Sequence, residues 1–521
     1  MSKRLPLVLW LLSAPLIFSL IFGGRVERAQ EARVLETARE MVGAGWQNWL
    51  IPHCNGQVRL RKPPLAYWAA AASFKIFGVH DWAGRLPFAL ASWLTLGATY
   101  AACRPIIGRR GALLAAAGLT GTYFLVRFGR YAETDVLATL FVTAAVAAII
   151  RGGLARRSSQ KVPLYLAAGI AIGGAIMSKG PPAVFPVLFL FALAWALGRG
   201  RILAEFLLSG ALLALAAVAA PWWWYVSQRP EFSVVGNELK KVTLGLDHPG
   251  PPWFYFMLIF LATAPWCALV TLGIAGLIRR WRRDLRARVL LLWIACIIIP
   301  MSLVVKKQDH YMLAMLPALM APAGWALAQA LRGRRDALRA VLATLLITAI
   351  GGLIAAAGPL IAAHQIRQRI IAIDFVLSLC ILIASVLLLL ALLRWNRNTT
   401  LPLRSILIVF AAGAVLMTVA VAYWRPALEP ITYPQVARQI DREFPNRQLV
   451  LFDAENLPIC FYLARTIPYY HTRQELMNAL AQRADLTIIW EQQEKFQVPP
   501  PGIEKLRIHM RKRDIVIYEQ K

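Results

Sequence analysis

About thirteen apolar runs, each long enough or nearly long enough to cross a hydrocarbon layer, constrain this chain more than any other feature. They fall near 5–22, 83–102, 111–126, 132–150, 163–178, 182–198, 202–226, 253–278, 289–305, 311–331, 340–361, 371–393 and 405–424. Backbone groups in lipid must be satisfied within the segment, so runs of this kind predict helices. A single soluble core could not enclose so much apolar surface: 58% of the 521 residues are hydrophobic and only 16% are charged. The expectation is an all-α polytopic membrane protein. The first run follows Lys3 and Arg4 and leads through Gly23–Gly24–Arg25 into a charged segment without a small-x-small cleavage site, so it is read as a retained helix.

The net charge of +30 would suggest nucleic acid in a soluble chain. Here the cations sit between spans, where the positive-inside bias accounts for them, and no nucleic-acid partner is expected. Arg104, Arg109 and Arg110, then Arg151, Arg156 and Arg157, then Arg279 to Arg288, then Arg332 to Arg339 alternate with poorer loops. This places the N-terminus in the cytoplasm. It places the first loop (23–82) and the C-terminal segment (425–521) outside, although the first loop is itself basic. The expected domains are therefore a transmembrane region, 1–424, carrying that loop, and a soluble domain, 425–521.

In the C-terminal segment, Leu449–Asp453, Leu486–Trp490 and Asp514–Tyr518 read as strands and Thr472–Gln482 as an amphipathic helix, a small α/β domain. The six cysteines are scattered without a CxxC pair, so no zinc finger is indicated, and spacing gives no support for a Cys54–Cys460 disulfide.

The outward-facing loops carry the chemistry. The pattern of Val34, Leu35, Ala38, Met41 and Val42 predicts an amphipathic helix over 30–41 lying at the membrane surface. Arg59, Arg61 and Lys62 precede the rigid Pro63–Pro64. Arg130 to Asp135 puts a carboxylate at the start of a span, Lys179 stands at a tight turn, and Lys306 to Tyr311 adds cations and a histidine at the mouth of another. Ionisable groups at membrane edges are costly and often functional. Several outward cations suit a lipid-attached phosphate, and a carboxylate beside them suits a general base for an acceptor hydroxyl. The Trp222–Trp223–Trp224–Tyr225 run is read as an interfacial aromatic belt.

These motifs resemble the bacterial lipid-linked glycosyltransferases of the GT-C superfamily, in particular the aminoarabinose transferases of lipid A and the wider protein O-mannosyltransferase-like family. The resemblance rests on Glu31-Ala32-Arg33, Thr37-Ala38-Arg39-Glu40-Met41, Trp49-Leu50-Ile51-Pro52, Asn55-Gly56 and Lys62-Pro63-Pro64-Leu65. It continues through Gly84-Arg85-Leu86-Pro87, Thr134-Asp135, Lys179-Gly180-Pro181, His310-Tyr311 and Pro317, covering roughly residues 1–330. It implies a GT-C fold of about thirteen spans with a periplasmic α/β domain, in the bacterial inner membrane. It implies transfer of one sugar from undecaprenyl phosphate to an envelope lipid or glycan such as lipid A.

By the same resemblance Lys62, Arg33, Lys179 and Tyr311 contact the donor phosphate, and either Glu31 or Asp135 is the catalytic carboxylate. Gln30, Arg61, Tyr67, Arg130, His248 and His310 are further cavity positions. Two departures stand out. The family's favoured base is an Asp where this chain has Gln30, which takes no proton at neutral pH. A glutamate that helps bind a metal is replaced by Arg61, so no metal or other cofactor is expected. A transporter or flippase of a lipid-linked anion, and a protein O-glycosyltransferase, are the alternative readings.

Overall fold

The structure is a computed structural model. It describes residues 4–19, 21–22, 25–233, 249–334, 338–339, 341–343, 346, 349–350, 403–424, 431–483, 485–492, 499–510 and 513–519. Five helices among these are long and apolar enough to cross a membrane: Asp81–Leu119, Thr134–Leu154, Ser158–Ser178, Leu285–Leu303 and the helical stretch Asp309–Ala330. A bent pair, Arg201–Leu208 with Ala211–Ser227, makes a sixth. The chain is thus a multi-pass membrane protein.

Among the described residues these six do not amount to the expected thirteen spans, and several of the expected runs are broken or merged in the backbone. The run at 202–226 bends by 55° at Gly210, whose φ of 81° favours glycine. The run at 253–278 divides into Phe254–Thr263 and Cys267–Ile278 around Pro265, which has no N–H to continue a helix. The two runs at 83–102 and 111–126 are joined by helix that continues past Arg104 and breaks at Gly108 (φ 76°, ψ 174°). The runs at 340–361 and 371–393 lie largely or wholly outside the described residues.

The chain forms two compact units. The first takes Met1–Ile21, Arg61–Ala66 and Leu86–Ala422. Its helices meet through small residues: a Cβ added at Gly169 would stand 2.1 Å from the Ala211 carbonyl oxygen, and one at Gly173 would stand 2.9 Å from Val218. Such small-xxx-small spacing lets two backbones approach in lipid.

The second unit takes Phe22–Leu60, Tyr67–Arg85 and Tyr423–Lys521. Its sheet runs β4 (Tyr469–Tyr470), β3 (Gln448–Phe452), β5 (Leu486–Gln492), β7 (Arg513–Glu519), β6 (Ile503–Met510), counted after a small hairpin of β1 (His53–Cys54) and β2 (Gln57–Val58). Strands β3, β4 and β5 are parallel, while β7 and β6 are antiparallel additions. The alternation along β3 and β5 feeds two cores. Leu449, Leu451 and Ile489 pack with helices Tyr433–Glu443 and Leu457–Leu463, and Val450, Ile488 and Trp490 pack with helix Arg473–Gln482. Capping boxes at Thr432/Gln435 and Thr472/Glu475 start two of these helices.

The amphipathic segment of the first loop is a helix, Ala29–Gly43, but its buried face is not the membrane-surface stripe expected. Glu31, Glu36 and Thr37 are buried with Val34, Leu35, Ala38 and Met41. It packs beside Leu457–Leu463, where Tyr462 Oη accepts from Val26 N and lies 2.7 Å from Asp81 Oδ2, and Asn55 exchanges two hydrogen bonds with Ile467. Its polar pattern answers protein, not lipid.

Candidate functional site

Three backbone devices gather one charged cluster in the first unit. Helix Thr134–Leu154 starts after an extended Glu133 and carries Asp135 in its first turn, where the helix dipole favours a carboxylate. Helix Ser158–Ser178 ends at Lys179, and Gly180 (φ 87°, ψ −83°) turns the chain back at once into Pro181. A 3-10 stretch, Asp309–Met315, presents His310 and Tyr311.

Lys179 Nζ donates to Asp135 Oδ1 at 2.5 Å and stands 3.6 Å from the centre of the Tyr311 ring. His310 Nε2 is 3.8 Å from Asp135 Oδ2, and its other ring nitrogen is 3.4 Å from Asp309 Oδ1. Asp309 also accepts from the His310 backbone N–H at 2.8 Å, which fixes the ring's base. Asp135, Lys179 and His310 are each less than a tenth exposed. Lys62, half-buried, acts electrostatically on Asp135, while its neighbour Arg61 points to the surface. Arg130 is buried with its guanidinium 5.2 Å from the centre of the Tyr131 ring. The residues thus brought together are Asp135, Lys179, His310, Tyr311 and Lys62.

Lys307, grouped with these cations by sequence, does a different job. Its ammonium donates to the carbonyls of Met301, Ser302 and Val304, using all three protons to cap helix Leu285–Leu303. Burial pushes this ammonium below the ordinary lysine value. Replacing Lys307 by Met is expected to leave those carbonyls short of partners and to lower stability by about 1–3 kcal/mol, read as an earlier thermal midpoint in detergent.

In the second unit Glu31 is fully buried. Arg85 grips it through both oxygens, Nε to Oε1 at 2.7 Å and Nη2 to Oε2 at 2.9 Å, and also donates to Arg25 O. Gln30 and Arg33, on the same helix, are half-buried. Tyr67 is buried with a side-chain hydrogen bond to Arg59, and Arg33 acts on it electrostatically. Burial raises the Glu36 carboxyl even though Arg39 binds both its oxygens, and pushes the Cys54 thiol up to about 12. Cys54 and Cys460 are both buried free thiols. His248 lies outside the described residues. Sequence reasoning grouped Arg59 only with the cations before Pro63, gave Asp309 no role of its own, and passed over the partner role of Arg85; a lone arginine entering an apolar run was the available signal for the last.

Comparisons with known proteins bear on the fold and on the kind of protein this chain resembles. Residues 61–225 match the family described as dolichyl-phosphate-mannose-protein mannosyltransferase. A relative from Edwardsiella ictaluri, an undecaprenyl phosphate-alpha-4-amino-4-deoxy-L-arabinose arabinosyl transferase, is 28% identical over 248 residues, 46% of this chain and 44% of the relative. A protein of the same name from Shewanella sediminis is 30% identical over 313 residues, 57% of this chain and 54% of the relative. The chain therefore matches about half the length of these curated relatives. In fold the likeness extends along nearly the whole chain: the crystal structure of ArnT from Cupriavidus metallidurans bound to undecaprenyl phosphate covers 99% of this chain and 98% of its own, with a TM-score of 0.78 at 19% identity. The chain has the GT-C fold and resembles the aminoarabinose transferases.

Proposed function

We propose that the chain is a glycosyltransferase that moves a single sugar from a polyprenyl phosphate donor to an acceptor in the cell envelope. The carrying observation is the buried meeting of Lys179, Asp135, His310 and Tyr311, with Lys62 in electrostatic reach, in a unit otherwise built from apolar helices. Buried charge is expensive to hold and has to answer a ligand or a partner. Lys62 and Lys179 hold the donor phosphate, first as ligand and then as leaving group whose charge grows as the glycosidic bond breaks. The Tyr311 ring keeps the Lys179 ammonium in place.

Of the two carboxylates offered by sequence, Asp135 receives the acceptor proton in this reading, because both oxygens of Glu31 are already engaged by Arg85. Its Oδ2 accepts a long hydrogen bond from the Thr134 hydroxyl at 3.5 Å and lies 3.8 Å from the His310 ring, so an incoming hydroxyl still has an acceptor lone pair there and the imidazole is the next stop for the proton. A single base and a charged leaving group suffice for direct displacement with inversion at the sugar. The charge bias of the loops supports transfer on the outer face of the inner membrane. Lipid A is the first acceptor to test, because the sequence motifs resemble those of the aminoarabinose transferases of lipid A.

Reconstituted protein given radiolabelled undecaprenyl phosphate sugar and an envelope extract is expected to label a lipid or glycan fraction, and Lys179→Met is expected to reduce labelling at least a hundredfold. No labelling by the wild-type protein, or undiminished labelling by the variant, would exclude this function.

A further inference from the structure

We propose that a groove between helix Leu5–Leu12 and the two arms of helix Asp81–Leu119 binds an anionic diacyl phospholipid. The groove has a volume of about 540 Å³. Its walls are apolar, formed by Leu9, Trp10, Leu96, Leu113 and Ala116 among others, and no Asp or Glu among the described residues lines it.

The walls are fixed. Trp10 and Trp93 stack with ring centres 3.8 Å apart and planes 7° from parallel, and each indole N–H donates to the other residue's carbonyl, at 3.0 and 2.9 Å. Trp10 also lies beside Gly97, while Phe18 meets Trp93, so the first helix runs antiparallel to its neighbour. Gly108 then reverses the chain with φ 76°, a value that favours glycine, and a Cβ there would meet nothing within 4 Å. The break is a matter of backbone conformation, not of space.

That reversal concentrates charge at one end. Arg104 comes from the arm before Gly108 and Arg109 from the arm after it, and both line the groove. Exposed Arg110 follows in sequence, and exposed Arg4 heads the antiparallel first helix two residues before Pro6, itself in the lining. From Leu96 to Arg104 the groove runs about 12 Å at 1.5 Å per residue. An apolar slot of this length with guanidinium groups at its mouth matches an acyl chain below a phosphodiester. A zwitterionic headgroup matches it less well, because its own cation opposes the cluster. None of these residues is in the Asp135 cluster, so this site stands apart from the proposed transfer.

The test is native mass spectrometry of the full chain in detergent, titrated with dioleoyl phosphatidylglycerol or dioleoyl phosphatidylcholine. The wild-type protein is expected to retain the anionic lipid roughly thirtyfold more tightly, about 2 kcal/mol for two cations at 1.4 kcal/mol per decade. The R104Q/R109Q variant should lose that preference and the R104K/R109K variant should keep it, which separates charge from folding. Ala117→Trp, which fills the groove, should weaken retention of both lipids. Equal retention of the two lipids by wild type, an unchanged preference in R104Q/R109Q, or its loss in R104K/R109K would overturn the proposal. Displacement by substoichiometric undecaprenyl phosphate would overturn it too, by assigning the groove to the polyprenyl lipid.

Discussion

Asp135→Asn is expected to lower sugar transfer by about a hundredfold to ten-thousandfold, the usual range for loss of a positioned base, with donor affinity reduced far less. The substitution keeps the side chain's shape and one acceptor for Lys179 while removing the carboxylate that His310 faces. It also takes away the counter-charge of a buried lysine, which costs stability in its own right. The measurement is therefore single-turnover transfer on folded protein, selected by its thermal midpoint, with donor binding read in parallel. A variant that folds, binds donor and still transfers at the wild-type rate would remove Asp135 from the proton's path. One that fails only in donor binding would make it a holder of Lys179.

The second large effect concerns stability. Replacing Arg85 by Met leaves Glu31 buried, charged and without its bidentate partner, and the expected loss is about 3–5 kcal/mol. Glu31→Gln alone strands the guanidinium in the same way. Replacing both, as Glu31→Gln with Arg85→Met, removes the charges together and is expected to recover much of the loss, because a buried ion pair is often matched by a neutral pair of similar volume. Thermal unfolding of the two single variants and the double variant in detergent measures the coupling. If the folded double variant also keeps transfer, Glu31 is structural. Additive losses with no recovery would contradict the pairing as described.

Much of the fold was readable in the chain because bilayer length and backbone satisfaction leave few choices for apolar runs. The strands Leu486–Gln492 and Arg513–Glu519 were also readable, since burial on both faces demands a run such as LTIIW. The edge strand Ile503–Met510 was missed because its sequence, IEKLRIHM, exposes one face and reads as loop. Breaks within spans depended on single residues, Gly108, Gly210 and Pro265, whose effect on direction has no periodic signature.

The site was half legible. Motif order named Asp135, Lys179, Tyr311 and Lys62, and the structure brings them together with His310. Partner choice was not legible: nothing local says that Glu31 will meet Arg85, 54 positions away, or that Lys307 will turn back onto its own helix while Lys179 crosses to another. A carboxylate and a cation read identically as site residues until long-range packing decides which of them is already spoken for. Gln30, the departure from the usual base, sits beside a glutamate whose carboxylate is paired with Arg85.

Binding of undecaprenyl phosphate to the wild-type chain and to Lys179→Met, followed by native mass spectrometry in one detergent, tests the central claim most directly. If the buried cluster holds the donor phosphate, the variant binds at least tenfold more weakly, about 1.4 kcal/mol, while its thermal midpoint without lipid still reports a folded protein. Equal affinity for the two proteins would contradict the account, because the phosphate would then be held somewhere other than at Lys179 and Asp135.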